Sequence, residues 1–89
     1  MPDALYEILY EPHAERDLDK VPANDFRRLD AKICALAENP RPVGVEKLTV
    51  TTYRIRSGDW RVIYLIDDGA RRIVISRIRR RNERTYRNF

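Results

Sequence analysis

The 89-residue chain has one cysteine (Cys34), one histidine (His13), one tryptophan and only three glycines. A single thiol excludes an internal disulfide and any zinc site built on cysteines. No apolar run exceeds five residues, as at 62–66, whereas a membrane-spanning helix needs about 20, so no membrane partner is expected. Asp3 and Glu7 interrupt the N-terminus, and no basic segment leads into an apolar stretch there. A secretory signal is therefore not expected, and the expected location is the cytoplasm. Repeats, low-complexity tracts and Gly/Ser linkers are also missing, so residues 1–89 read as one domain. No arrangement of residues calls for a metal or a cofactor, and none is expected.

What is present is apolar enough to fold, at 43% hydrophobic residues, and heavily charged, at 36%. A chain this short buries only about two-thirds of its unfolded surface, so the core must be thin. The net charge of +4 conceals a split. Residues 1–46 carry six basic and ten acidic side chains, net −4, while residues 47–89 carry twelve and four, net +8. Fifteen of the eighteen basic residues are arginine, the type that contacts phosphate through two parallel hydrogen bonds. Positive charge gathered in one half of a small domain points to a polyanion such as RNA or DNA. Composition alone fits a solvated basic surface equally well.

Residues 5–10 read as a short strand in which Tyr6, Ile8 and Tyr10 alternate with Glu7. Pro12 suits the first position of a helix, which continues through Ala14, Leu18 and Val21 and stops at Pro22. A longer helix follows, capped by Asn24 or Asp25, with Phe26, Leu29, Ile33, Leu36 and Ala37 recurring on one face. Cys34 is expected at the edge of that buried stripe. Residues 39–44, Asn-Pro-Arg-Pro-Val-Gly, end the helix in a tight loop. The second half reads as an antiparallel meander of three strands, at 52–57, 60–66 and 72–78, with turns at Gly58-Asp59 and Asp68-Gly69. The expected fold is α+β: an N-terminal strand, two antiparallel helices, then an antiparallel meander forming a twisted sheet with the helices on one face.

Parity places the arginines. With a two-residue loop at Gly58-Asp59, Ser57 faces Trp60 and Arg56 faces Arg61, so Arg54, Arg56 and Arg61 share a face opposite Tyr53, Ile55, Val62 and Tyr64. A two-residue loop at Asp68-Gly69 would set Arg61 against Ser76. Arg72, Val74, Ser76 and Ile78 would then join the arginine face, with Arg80 continuing it. Like charges directly opposite one another destabilise a sheet, so their retention favours phosphate binding. Arg79, Arg80 and Arg81 form a basic run, and Tyr86 beyond it reads as a surface aromatic, a core anchor or a base-stacking and proton-handling group.

The run Tyr53-Arg54-Ile55-Arg56-Ser57-Gly58-Asp59-Trp60-Arg61-Val62-Ile63-Tyr64 resembles the signature of RelE/ParE superfamily toxins. Asn39-Pro40-Arg41-Pro42 followed by Lys47-Leu48, and Asp17-Leu18-Asp19-Lys20-Val21-Pro22, resemble two further motifs of that superfamily, in the same order. The resemblance extends from about residue 6 to Tyr86. It implies the toxin of a type II toxin–antitoxin pair with a RelE-like microbial RNase fold, silenced by an acidic, partly disordered RelB-like antitoxin. The RelE branch cleaves mRNA in the ribosomal A site, using the messenger's own 2′-OH. The ParE branch inhibits DNA gyrase and lacks the basic residues of the nuclease site. The nuclease branch has basic residues where this chain has Arg54, Arg56, Arg61 and Arg80, and a tyrosine at Tyr86. The RelE branch is therefore the expectation, a metal-independent endoribonuclease whose partners are the ribosome and mRNA. A gyrase inhibitor, or a non-toxic RNA- or antitoxin-binding module, is the alternative.

Cleavage by a 2′-OH needs a proton acceptor, positive groups for the phosphorane and an acid for the leaving 5′-oxygen. The resemblance assigns Arg61 to the phosphorane, Arg80 to the acid side as donor or electrostatic support, and Tyr86 to stacking or proton transfer. Arg54 and Arg56 complete the catalytic candidates, and Lys47, Arg72, Arg79 and Arg81 are candidates for RNA contact. Arginine scarcely deprotonates at neutral pH, so the proton acceptor falls to a tyrosinate at Tyr86 or to Glu83, or the site works chiefly by electrostatics.

Overall fold

A computed structural model describes residues 5–81. Chain order is β1 (Glu7–Tyr10), α1 (Pro12–Asp19), α2 (Ala23–Ala35), β2 (Glu46–Lys47), β3 (Thr52–Ser57), β4 (Trp60–Asp67) and β5 (Arg72–Arg80). The strands form one five-stranded sheet in the order β1-β5-β4-β3-β2. β1 runs parallel to β5 and the other pairs are antiparallel. Parallel pairing needs a crossover, and the two helices with the meander supply it. The α+β expectation and the helices' place on one sheet face are borne out. The two-residue β2, too short to show alternation, is an addition to it.

The core lies between the helices and one face of the sheet. Ala14 of α1 and Leu29, Ile33 and Leu36 from α2 and its C-terminal turn meet Tyr53, Ile55, Val62, Tyr64, Ile66, Ile73, Ile75 and Ile78, all of them buried. Pro12 occupies the first turn of α1, as its missing N–H dictates. α2 is entered through Pro22, whose extended backbone serves as the N-cap without any side-chain hydrogen bond. Asn24 and Asp25 are therefore not the cap; Asp25 lies in the first turn, where the helix dipole favours a carboxylate. Cys34 is exposed rather than at the edge of the buried stripe.

The hairpin β3–β4 has the expected register, Ser57 opposite Trp60 and Arg56 opposite Arg61. Gly58 takes φ +60 in the turn, a conformation in which glycine has no side-chain penalty. The β4–β5 connection differs from expectation. Asp67 pairs with Arg72, so the loop is the four residues 68–71, and the left-handed position is Arg71, at φ 53. Two extra loop residues preserve parity. A β-bulge in β5 does not: Tyr64 pairs with Ile75 but Ile63 pairs with Arg77, leaving Ser76 as the additional residue. The Ser76 hydroxyl donates to the Ile63 carbonyl at 3.1 Å.

The bulge moves Ile78 to the buried face, where it is 3% exposed, and takes Arg80 with it. The expectation that Ile78 and Arg80 lie on the arginine face is corrected accordingly. The physical reason is packing, since the core recruits an isoleucine and the strand absorbs the phase change in one unpaired residue. Beyond Ile75, where β1 ends, α1 closes the sheet edge instead. The Asp17 carboxylate accepts the Ile78 backbone N–H and the Arg77 side chain, both at 2.9 Å.

Candidate functional site

The uncovered face of the sheet is organised in rows of cross-strand neighbours. One row is Arg56–Arg61–Arg79, from β3, β4 and β5. Facing residues in such rows have Cα atoms about 4.5–5.5 Å apart, so three guanidinium groups are drawn from a strip about 10 Å wide. The next row is Glu46–Arg54–Ile63–Arg77. The row after that, Thr52–Leu65–Val74–Leu9, is largely apolar. From that apolar row the face becomes cationic towards the β3–β4 turn, while on its other side lies the charged row Asp67–Arg72–Glu7.

Arg61 is central in its row. Its Nε is buried and has no hydrogen-bond partner among the described residues. Arg56 beside it is exposed. Arg54 is held by Glu46: its Nε and a terminal nitrogen lie 2.7 and 2.6 Å from Oε1 of that carboxylate. The hydrogen bond from Arg54 holds the Glu46 carboxyl below its ordinary range, and the charges of Arg54, Arg56 and Arg61 add to the effect. Glu46 is the residue that sequence reasoning missed. Its only available signal was a place in the short Glu46-Lys47-Leu48 run, and a two-residue strand carries no periodicity.

The remaining candidates are dispersed. Arg80 lies on the helix side, over the Trp60 ring with 4.8 Å from guanidinium carbon to centroid. Arg81 is near Asp59, at 3.9 Å. Arg72 is on the open face beside Glu7, at 3.5 Å, but seven residues from Arg79 along β5, or about 23 Å. Lys47 pairs with Tyr53, out of phase with the arginine row. Tyr86 and Glu83 lie outside the described residues. His13 is exposed on α1. No three His, Cys, Asp or Glu side chains among the described residues come together to hold a metal ion, and no helix among them is long and apolar enough to cross a membrane.

Beside the arginine row, α2, the 42–44 loop and β3 enclose an open cleft of about 570 Å³. Buried Leu36 and Ile55 give it an apolar floor, exposed Val43 stands at its edge, and Lys32, Glu38 and Arg56 place charges of both signs around it. At the other end of the sheet, Arg41 joins three elements. It bonds Asp68 at 2.9 Å and the Tyr53 hydroxyl at 3.2 Å, and the Tyr6 hydroxyl donates to the same aspartate at 2.6 Å.

The family model for the ParE toxin of type II toxin–antitoxin systems, parDE, matches residues 8–85. The chain belongs to the RelE/ParE family of toxins. The described fold agrees with solved relatives. The RelBE2 toxin–antitoxin complex of Mycobacterium tuberculosis is 26% identical, with TM-score 0.78 over 91% of this chain and 97% of that one. The RelE–RelB complex of Pyrococcus horikoshii is 24% identical, with TM-score 0.76 over 89% and 98%. The isolated Escherichia coli RelE toxin, at 17% identity, has TM-score 0.77 over 92% of each chain. No curated protein matches this chain. The toxin thus has a ParE family model and RelE structural neighbours, several of them solved with RelB-type antitoxins.

Proposed function

We propose that this toxin is a ribosome-dependent endoribonuclease that cuts mRNA in the A site by attack of the messenger's own 2′-OH. The observation that carries the reading is the row Arg56–Arg61–Arg79 with the buried, unpartnered Nε of Arg61. A buried donor without a partner costs about 1–3 kcal/mol, and a phosphate oxygen is a strong acceptor for it. In the proposed reaction O2′ attacks phosphorus, the bond to O5′ breaks and a 2′,3′-cyclic phosphate forms. Arg56, Arg61 and Arg79 neutralise the charge that grows on the phosphorane oxygens. The 2′-OH proton passes to Glu46, which Arg54 orients and which stays ionised at neutral pH. Tyr86 is the candidate for the leaving oxygen. The cleft beside Arg56 suits an acidic, amphipathic antitoxin segment, whose carboxylates would compete with RNA for that arginine.

The test is cleavage mapping on ribosomes with an empty A site. Wild type is expected to give codon-phased cuts and Arg61→Ala none, with both proteins folded. Equal cutting by the two proteins would overturn the reading. The ParE family model favours a second reading, inhibition of DNA gyrase; absence of cuts with either protein, together with gyrase–DNA adducts, would establish that one instead.

A further inference from the structure

We infer that Arg79 is the arginine of the C-terminal basic run that contacts substrate phosphate, and that Arg80 is a positioning residue that aims it. The inference rests on the phosphate-binding reading of the arginine row. It follows from what holds the Arg80 side chain and from the register of β5. Arg80 pairs across the sheet with Trp60 and covers the face of its ring. Trp60 is 7% exposed, and its indole N–H donates to Oδ2 of Asp25 at 3.1 Å. A terminal nitrogen of Arg80 is 4.0 Å from that same oxygen, and the other oxygen of Asp25 accepts from Arg28 at 3.0 Å. Arg80 is therefore fastened beneath the sheet by a ring face and a carboxylate, both belonging to the helix side.

Successive side chains of an extended strand point to opposite faces. Fastening Arg80 below consequently holds Arg79 above, opposite Arg61. The bulge at Ser76 makes this the outcome; in an unbroken ladder the two arginines would exchange faces. The arrangement divides adjacent, chemically identical residues into one that meets the ligand and one that does not.

The experiment uses the full chain and a 12-nucleotide single-stranded RNA, with binding measured against salt. Loss of one phosphate contact makes the slope of log K against log [salt] shallower by about 0.7. Arg61→Ala and Arg79→Ala should each show this change; if Arg79→Ala does not fold, Arg79→Gln serves. Arg80→Ala should keep the wild-type slope, bind several-fold more weakly and alter the fluorescence of Trp60, the only tryptophan. Arg80→Lys should restore binding. The double variant Arg79→Ala/Arg80→Ala should bind no worse than Arg79→Ala, since a residue that acts only by aiming Arg79 has nothing left to aim. An unchanged slope for Arg61→Ala would overturn the phosphate-face reading and this inference with it. A shallower slope for Arg61→Ala with an unchanged one for Arg79→Ala, or a shallower one for Arg80→Ala, would overturn this inference alone.

Discussion

Arg56 and Arg61 stand directly opposite each other across β3 and β4, and Arg79 extends the line on the far side of Arg61. Like charges at facing positions oppose sheet pairing, so this row works against the fold that carries it. The apolar face beneath, with Val62 and Tyr64 at 0% exposure, supplies the offset. An anion over the row would relieve the same repulsion.

Relief of the repulsion can be measured. Arg56→Thr replaces an exposed charge by a residue that suits a strand. It is expected to raise stability by up to about 1 kcal/mol, or about 4–8 °C in Tm for a domain of this size, while weakening RNA binding. A variant both less stable and undiminished in RNA affinity would show that the row is not a ligand site.

In the proposed reaction, Glu46 is where binding and chemistry can be separated. Glu46→Gln removes a negative charge from the phosphate path and releases Arg54. The expected result is a lower KM with kcat reduced about 10²–10⁴-fold, the range of a lost general base. If kcat were unchanged, the proton acceptor would have to be sought elsewhere.

The bulge gives an unusual deletion phenotype. Removing Ser76 leaves every other β4–β5 pair in place, so the protein should still unfold cooperatively. It should lose about 1 kcal/mol for the Ser76–Ile63 hydrogen bond. Removing Val74 instead shifts buried Ile73 or Ile75 to the open face, at about 1.5–3 kcal/mol per side chain. Thermal melts of the two deletions should differ clearly, and similar melts would place the extra residue elsewhere.

Alkaline pH tests buried Tyr64 and half-buried Tyr10. Burial pushes the hydroxyls of Tyr10 and Tyr64 up to about 12, against about 10 in the unfolded chain. Raised values mean the neutral form is favoured in the native state, so their contribution is complete below pH about 10. It is lost as pH rises towards 12. Tyr64→Phe should flatten the fall in Tm across that interval.

Acid acts in the opposite sense. The carboxyls of Asp25, Glu46 and Asp68 lie below their ordinary range, held chiefly by hydrogen bonds from Trp60, Arg54 and Arg41 respectively. Their contribution is present above the unfolded value of about 4 and is lost as pH falls through the folded values. Asp68→Asn should make Tm less sensitive to pH below about 4, and an unaltered acid limb would argue against the Arg41–Asp68 contact.

Strict alternation over residues 52–57 and a two-residue turn were enough to read the faces of β3 and β4 from the chain alone. They placed Arg54, Arg56 and Arg61 together, because period-two side chains beside a buried surface admit only one phase. Pro12 marked the start of α1 through its missing N–H, a covalent fact, but Pro22 did not mark its end: α1 stops at Asp19 with Lys20 as its C-cap, and Pro22 is the N-cap of α2. Other features were decided by tertiary structure. A bulge is a property of pairing, so nothing local to Ser76 announces it; Ile78 entering the core selects it, and the faces taken by Arg79 and Arg80 follow. Glu46 meets Arg54 only because β3 folds back antiparallel to β2. Asp25 suits a helix cap in sequence, but it turns to Trp60, thirty-five residues away, because the folded chain brings that indole N–H to its carboxylate.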